Sequence, residues 1–588
     1  MNISSSALGL TLAISLSLTS WPRVRTNQDQ QPRTGRSYTT NDAKPPKTPA
    51  PTAPSPVSFD DIARAAGIAF RHDGSPTSQK YLPESMGGGV ALLDYDNDGR
   101  LDIFFTNGAR LQDPMPKGAM PDKGDARYWN RLYHQKPDGT FEDVTERAGV
   151  KGEGYSMGVA VADYDNDGWA DLYVTGYGSN ALYHNNHDGT FSNVTKKTGT
   201  TASGWSTSAA WIDYDRDGRL DLFVGRYLDW DFDHGAIVCG DTRPELRAYC
   251  HPDNFRGATN LLFHQRADGT FEDVSTSSKI ADPSGKALGV AITDIDGDGF
   301  SDIVVANDSV RQSLYHNRRD GTFEDIALPA GIGYDENGKT FAGMGVDAAD
   351  YDEDGHPDIF ITALSYQHYP LFHNGGDQTF TYETNVMGVG LATQMYSGWG
   401  TRFVDVDNDG FRDLFVAQGH VVDTIEKTSA YLRYKQPLLL LRNTGKQFIT
   451  VSPTAGGIFD TPLAARGAAV GDFNNDGQPD IVVCVLNAAP VLLRNNGSKN
   501  HWVGLSLVGT KSNRSAIGAR VIVTDAAGHK RIFDVTTAGS YLSSSDPRVI
   551  VGLGAATSVR SLKILWPSNH TQLLENPPID RYHTIVER

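Results

Sequence analysis

Three cysteines in 588 residues exclude a disulfide-scaffolded fold and a cysteine-built zinc protein, and leave room for one bridge. Long apolar runs are scarce as well. The run from Ala7 to Leu18 is too short to span a bilayer, and no later segment is long and apolar enough to do so. Its length suits the apolar region of a signal peptide over residues 1–21, although no Lys or Arg precedes it. An exported protein is therefore expected: secreted, periplasmic or at the cell surface, with no transmembrane segment in the mature chain. Residues 22–56 lack core periodicity and are crowded with Pro, Thr, Asn and Gln, so they read as a disordered linker. Basic residues are too few to balance the acids, and the formal charge of −18 argues against a nucleic-acid partner.

Glycine and aromatic residues are plentiful, and the length calls for more than one domain. One pattern, Asp-x-Asp/Asn-x-Asp-Gly-x-x-Asp, occurs seven times. Its acidic positions are Asp94, Asp96, Asp98 and Asp102; Asp163, Asp165, Asp167 and Asp171; and Asp213, Asp215, Asp217 and Asp221. They continue with Asp294, Asp296, Asp298 and Asp302; Asp350, Asp352, Asp354 and Asp358; and Asp405, Asp407, Asp409 and Asp413. The seventh copy has Asp472, Asn474, Asp476 and Asp480, with an amide in place of one acid.

Short apolar runs flank each copy, and a second signature follows, as in Leu182-Tyr183-His184-Asn185 with Asp188-Gly189-Thr190-Phe191. These are strand and hairpin signals, four strands to a repeat, which is the content of one propeller blade. The last repeat stops at Asn495 without its Phe-bearing fourth strand, whereas Val57 to Ile68 resembles one. An all-β fold is expected: a seven-bladed β-propeller over residues 57–498, closed by the strand around Phe59, then a small β-rich domain over 499–588.

Carboxylates at positions 1, 3, 5 and 9 of a tight loop, with Gly at position 6, supply hard oxygen ligands suited to Ca²⁺. Up to seven calcium ions are expected, structural in role. The loops hold 27 of the 71 acids, so the remaining chain carries a net charge of +9. Seven divalent ions would bring −18 to −4. The acidity thus belongs to the loops and does not make a partner-attracting surface.

The loop signature, with Leu-Tyr-His-Asn and Asp-Gly-Thr-Phe, resembles the FG-GAP (integrin-α-like) repeat, also classed as VCBS. Residues 499–588 resemble the ASPIC/UnbV domain through Gly539-Ser540-Tyr541-Leu542-Ser543, Val551-Gly552-Leu553-Gly554 and Ile564-Leu565-Trp566-Pro567-Ser568. The combination is similar to the cartilage acidic protein 1 family. The resemblance implies a secreted calcium-binding role in adhesion or recognition of an extracellular protein or glycan. A polysaccharide-active lyase or hydrolase on the same scaffold is the alternative. Asn474, and Gln378 where the fifth hairpin would carry Gly, depart from the pattern and are expected to weaken local calcium affinity or turn geometry.

No catalytic residues are expected. Gly154-Tyr155-Ser156-Met157-Gly158 fits a nucleophile elbow, but Glu84-Ser85-Met86-Gly87 fills the same place in the preceding repeat. His134, His184, His264, His316 and His373 recur at one position and read as packing or turn residues. Cys239 and Cys250 are the candidate disulfide, Cys484 a buried thiol. The insertion carrying them, with Trp230, reads as a solvated loop, a sugar or partner site being the alternative.

Overall fold

The computed structural model describes residues 34–38, 44–46 and 49–588, apart from 234, 236 and 242. The apolar run from Ala7 to Leu18 lies outside these. The paired apolar runs form seven four-stranded antiparallel sheets. Blade 1 comprises Val90–Leu93, Asp102–Phe105, Arg131–Gln135 and Phe141–Asp143. Later blades open on inner strands Tyr155–Ala162, Ser206–Ile212, Ala287–Thr293, Val346–Ala349, Gly398–Val404 and Ala465–Gly471. Consecutive inner strands touch, and the seventh touches the first. The sheets therefore form a closed seven-bladed propeller.

Strand periodicity explains why the inner runs are apolar throughout. Alternate side chains face opposite sheets, and here both faces are covered. Val90, Leu92 and Ile103 pack with Val482 and Cys484 of blade 7, whereas Ala91, Leu93 and Phe104 pack with Val159, Val161 and Leu172 of blade 2. Phe59–Asp61 supplies the fourth strand of blade 7 by pairing antiparallel with Val491–Asn495. The ends of the array thus close on each other, leaving no open first or last blade.

Parts of the expected linker are attached to the propeller. The Ala53 N–H donates to the Thr450 carbonyl at 3.0 Å, and the Ser55 N–H to Thr454 Oγ1 at 2.7 Å. Thr34–Gly35 runs parallel to Val238–Cys239. Proline-rich composition hid these segments because edge pairing uses backbone groups and needs little apolar periodicity. The insertion between loops 3 and 4 also differs from a solvated loop. Cys239 and Cys250 are joined by a disulfide, and Trp230 and Phe232 are buried with Tyr81, Tyr177 and Trp205 on the propeller face opposite the Asp loops.

The C-terminal domain pairs a three-stranded sheet (Val549–Gly554, His501–Val508, Tyr582–Val586) with a four-stranded one (Lys530–Asp534, Arg520–Asp525, Val559–Leu565, Thr571–Glu575). Val503, Val521, Val551, Leu562 and Trp566 fill its core. Between these sheets the chain leaves the domain and enters the propeller axis. Ser544 exchanges backbone bonds with Val90 and Leu92 of blade 1, and Leu542 O accepts from Val159 N of blade 2. Leu542 N donates to Ser208 Oγ of blade 3, Gly539 N to Val290 O of blade 4, and Ser540 N to Val346 O of blade 5. Ser540 Oγ accepts from Thr401 N of blade 6 and donates to Ala468 O of blade 7. Residues 537–546 therefore touch every inner strand and satisfy backbone groups that would otherwise line the channel. At the far end, Tyr541 donates to Met86 O at 2.7 Å and packs edge-on against Trp399.

Phe59 is 2% exposed. Phe59→Ala is expected to cost about 3–5 kcal/mol and to lower the calorimetric unfolding midpoint by several degrees. A midpoint equal to wild type would show that the ring does not depend on this closing strand.

Candidate metal centres

Each Asp repeat links an inner strand to the second strand of its blade, and local hydrogen bonding folds all seven loops alike. The position-1 Asp accepts the N–H of position 5 on one oxygen and that of Gly at position 6 on the other, as Asp94 does from Asp98 and Gly99. The same pair recurs at Asp163, Asp213, Asp294, Asp350, Asp405 and Asp472. Position 4 turns the chain left-handed, with φ between 56° and 73°, at Asn97, Asn166, Arg216, Gly297, Glu353, Asn408 and Asn475.

The position-9 Asp joins the loop to its own blade. Asp102 Oδ2 accepts the Tyr95 N–H and Oδ1 accepts the Gln135 N–H. Asp171, Asp221, Asp302, Asp358, Asp413 and Asp480 repeat the second bond, to the residue after the recurring His or Arg. That residue then reaches the neighbouring blade. Gln135, Asn185, Gln265, Asn317, Asn374, Asn443 and Asn495 donate their amides to the position-2 carbonyl of the preceding loop, at 2.8–3.0 Å. A second link runs from the position-4 amides of Asn97, Asn166, Asn408 and Asn475 to the position-6 carbonyl of the next loop, each at 3.0 Å. The loops form one hydrogen-bonded ring that staples blade to blade.

The carboxylates are crowded. Burial and neighbouring acids push Asp102, Asp163, Asp221 and Asp350 up to about 6, and Asp171, Asp213, Asp294 and Asp358 up to about 7. Among the described residues, Asp96 Oδ1 and Asp407 Oδ1 are buried without a hydrogen-bond partner. Orphaned acceptors within a like-charged cluster fit a divalent oxygen-seeking cation. Asn474 departs in structure as well as sequence, since its amide donates to Asp476 at 2.8 Å. Gln378 keeps its turn, at φ 64°, and donates to Asp296 of the preceding loop.

The recurring histidines do more than pack. Nδ1 of His134, His184, His264, His316 and His373 lies 3.0–3.5 Å from the position-9 Asp. Their shared place, one residue before the stapling amide, was the available sequence signal for this role. Ser156 is 2% exposed on an inner strand and receives a hydrogen bond from Lys123, which also donates to the backbone carbonyls of Asn107, Gly108 and Gly154. The elbow-like motif is therefore buried within the repeat.

The C-terminal domain sits on the loop face. Arg520 donates to Asp294 O, Arg548 to Asp472 O, and Tyr582 to Asp472 Oδ2 at 2.7 Å. Gly554 N donates to Asn408 O, and Arg531 pairs with Glu353 at 2.6 Å. Between the domain and loops 1, 2 and 7 lies a cavity of about 650 Å³, lined in part by Asp94, Asp163, Trp169, Arg514, Arg548 and Tyr582.

The chain matches the FG-GAP-like repeat over residues 94–174, 163–224, 240–305, 294–361 and 350–416, and the ASPIC and UnbV domain over 509–588. It is similar to cartilage acidic protein 1 from Homo sapiens, 26% identical over 50% of this chain and 43% of the human protein. The Mus musculus protein is 23% identical over 82% of this chain and 61% of its own length. The aligned regions span less than two thirds of these relatives. Among solved structures, an Agrocybe aegerita lectin described as recognising non-reducing terminal N-acetylglucosamine gives a TM-score of 0.37. It is 17% identical and covers 62% of this chain and 79% of the lectin, a likeness too distant to carry an argument.

Because the carboxyls of Asp163 and Asp213 stand above their unfolded value, their contribution to the stability of the metal-free protein is fully present below about pH 4 and is lost as pH rises through 6 to 7. If the loops take calcium, its preference for the ionised form is expected to reverse that order. The thermal stabilisation given by calcium is expected to be largest near about pH 8 and to shrink toward about pH 5, read as the difference between paired melts. A pH-independent difference would contradict the assignment.

Proposed function

Because the chain belongs to the FG-GAP-like repeat family and carries a C-terminal ASPIC and UnbV domain, we propose that it is an exported, calcium-stabilised recognition module. Its ligand would be an extracellular glycan or protein. The observation that carries this reading is the continuous ring of Asp loops on which the C-terminal domain rests. The carboxylates at positions 1, 3, 5 and 9 would hold calcium, with Asn474 supplying an amide oxygen in the seventh loop. When bound, the ion would supply positive charge that offsets carboxylate repulsion. The chain's own part is geometric: the position-1 and position-9 acids fix the loop, and the stapling amides carry that order into the next blade.

The axis is filled by residues 537–546 and closed at the opposite face by buried aromatics. This support favours recognition at outer surfaces over turnover in an axial channel. The interdomain cavity is the proposed ligand position, with Arg514 half exposed at its edge. Among the described residues no helix is long and apolar enough to cross a membrane, which is compatible with export as a free or surface-held protein.

Chelation with EGTA is expected to lower the melting temperature by roughly 10 °C or more, with recovery on adding calcium. An unchanged melt would sink the structural-calcium reading. On a glycan array, calcium-loaded protein is expected to give saturable binding that weakens on Arg514→Ala. Turnover of an arrayed polysaccharide would overturn the recognition reading in favour of an enzyme.

A further inference from the structure

The seven loops differ in what faces the position-5 carboxylate. Arg100 pairs with Asp98 and Arg219 with Asp217. Arg319 lies 3.3 Å from Asp298, and Arg442 2.8 Å from Asp409. In blade 2 this neighbour is an imidazole: His187 Nε2 lies 2.6 Å from Asp167 Oδ2. His187 and Arg319 occupy the same place in their hairpins, immediately before the Asp-Gly-Thr-Phe turn.

The imidazole is held in place. His187 adopts φ 64°, its N–H donates to Asn185 Oδ1 at 3.1 Å, and its ring stacks on Trp169 at 5.0 Å with an interplanar angle of 12°. A second imidazole, His184, stands 6.1 Å away between ring centres. His184 Nδ1 lies 3.3 Å from Asp165 Oδ2 and 3.5 Å from Asp171 Oδ1, which holds its ring beside the loop. Asp167, His184 and His187 each offer one ligand atom, all within 4.8 Å of one another.

We propose that blade 2 carries a transition-metal site, with Asp167, His184 and His187 as ligands and zinc as the ion it takes. Two imidazole nitrogens and a carboxylate suit zinc, whereas calcium is served by oxygen alone. Ligand atoms at about 2.0–2.1 Å from one zinc ion stand about 3.3 Å apart, so closing the site needs side-chain movement of an ångström or so. The fourth position is left to water or to a ligand donor. Asp167 is also the position-5 acid of the second Asp loop, so zinc here would compete with calcium for that one carboxylate, and the other six loops keep all their acids for calcium.

The test is calorimetric titration of the calcium-loaded full chain with zinc chloride, with cobalt(II) absorption as a spectroscopic reporter. Wild type is expected to bind one zinc ion saturably and to give visible cobalt bands of a nitrogen-containing site. His187→Ala should weaken zinc by about tenfold or more while keeping the calcium-dependent melting gain. His187→Arg restores a cation of the kind blade 4 uses and should also abolish zinc binding. His529→Ala, removing an exposed imidazole on the C-terminal domain, should change nothing. Wild-type zinc affinity in both His187 variants, or no saturable zinc site in wild type, would overturn the proposal.

Discussion

Carboxylate repulsion inside the nine-residue loops is the constraint on which the rest of the structure depends. In each loop, four acids, or three and an amide in the seventh, must converge for the inner and second strands to connect. Burial makes that convergence harder, as the raised carboxyls of Asp171, Asp213 and Asp294 record. The same loops present the carbonyls that the stapling amides need. An open loop would therefore lose a contact between blades as well as local order.

The second consequence concerns the two domains. The C-terminal domain rests its arginines and Tyr582 on the loops and threads residues 537–546 past all seven inner strands. The loops thus form the platform on which the domain that carries the plug rests. A propeller built in this way has a filled axis, and the proposed recognition role would fall to its rims, insertions and the interdomain cavity.

Much of this was legible in the sequence, for physical reasons that differ by element. The Asp-Gly turns and double-faced apolar strands fix the blades locally, and the stray strand around Phe59 reveals closure because the last repeat lacks its partner. The seventh loop lies outside the matched FG-GAP-like ranges, yet Asp472 and Asp480 make the same bonds as the others. The plug was not legible: Gly539-Ser540-Tyr541-Leu542-Ser543 has no strand period, and its bonds go to other chain segments. Trp230 looked like an exposed loop residue because sequence does not say which insertion folds back over the axis. The attachments of residues 34–38 and 49–56 were missed because backbone pairing at an edge leaves little trace in composition.

The central claim is that metal in the loops holds the blades to one another. Hydrogen–deuterium exchange, followed by mass spectrometry on the full chain with calcium and with EGTA, tests it most directly. Removing calcium is predicted to cost protection in the loops, in the third strands that carry the stapling amides and in residues 537–546 together. Faster exchange confined to the Asp loops, with strands and plug unchanged, would contradict it.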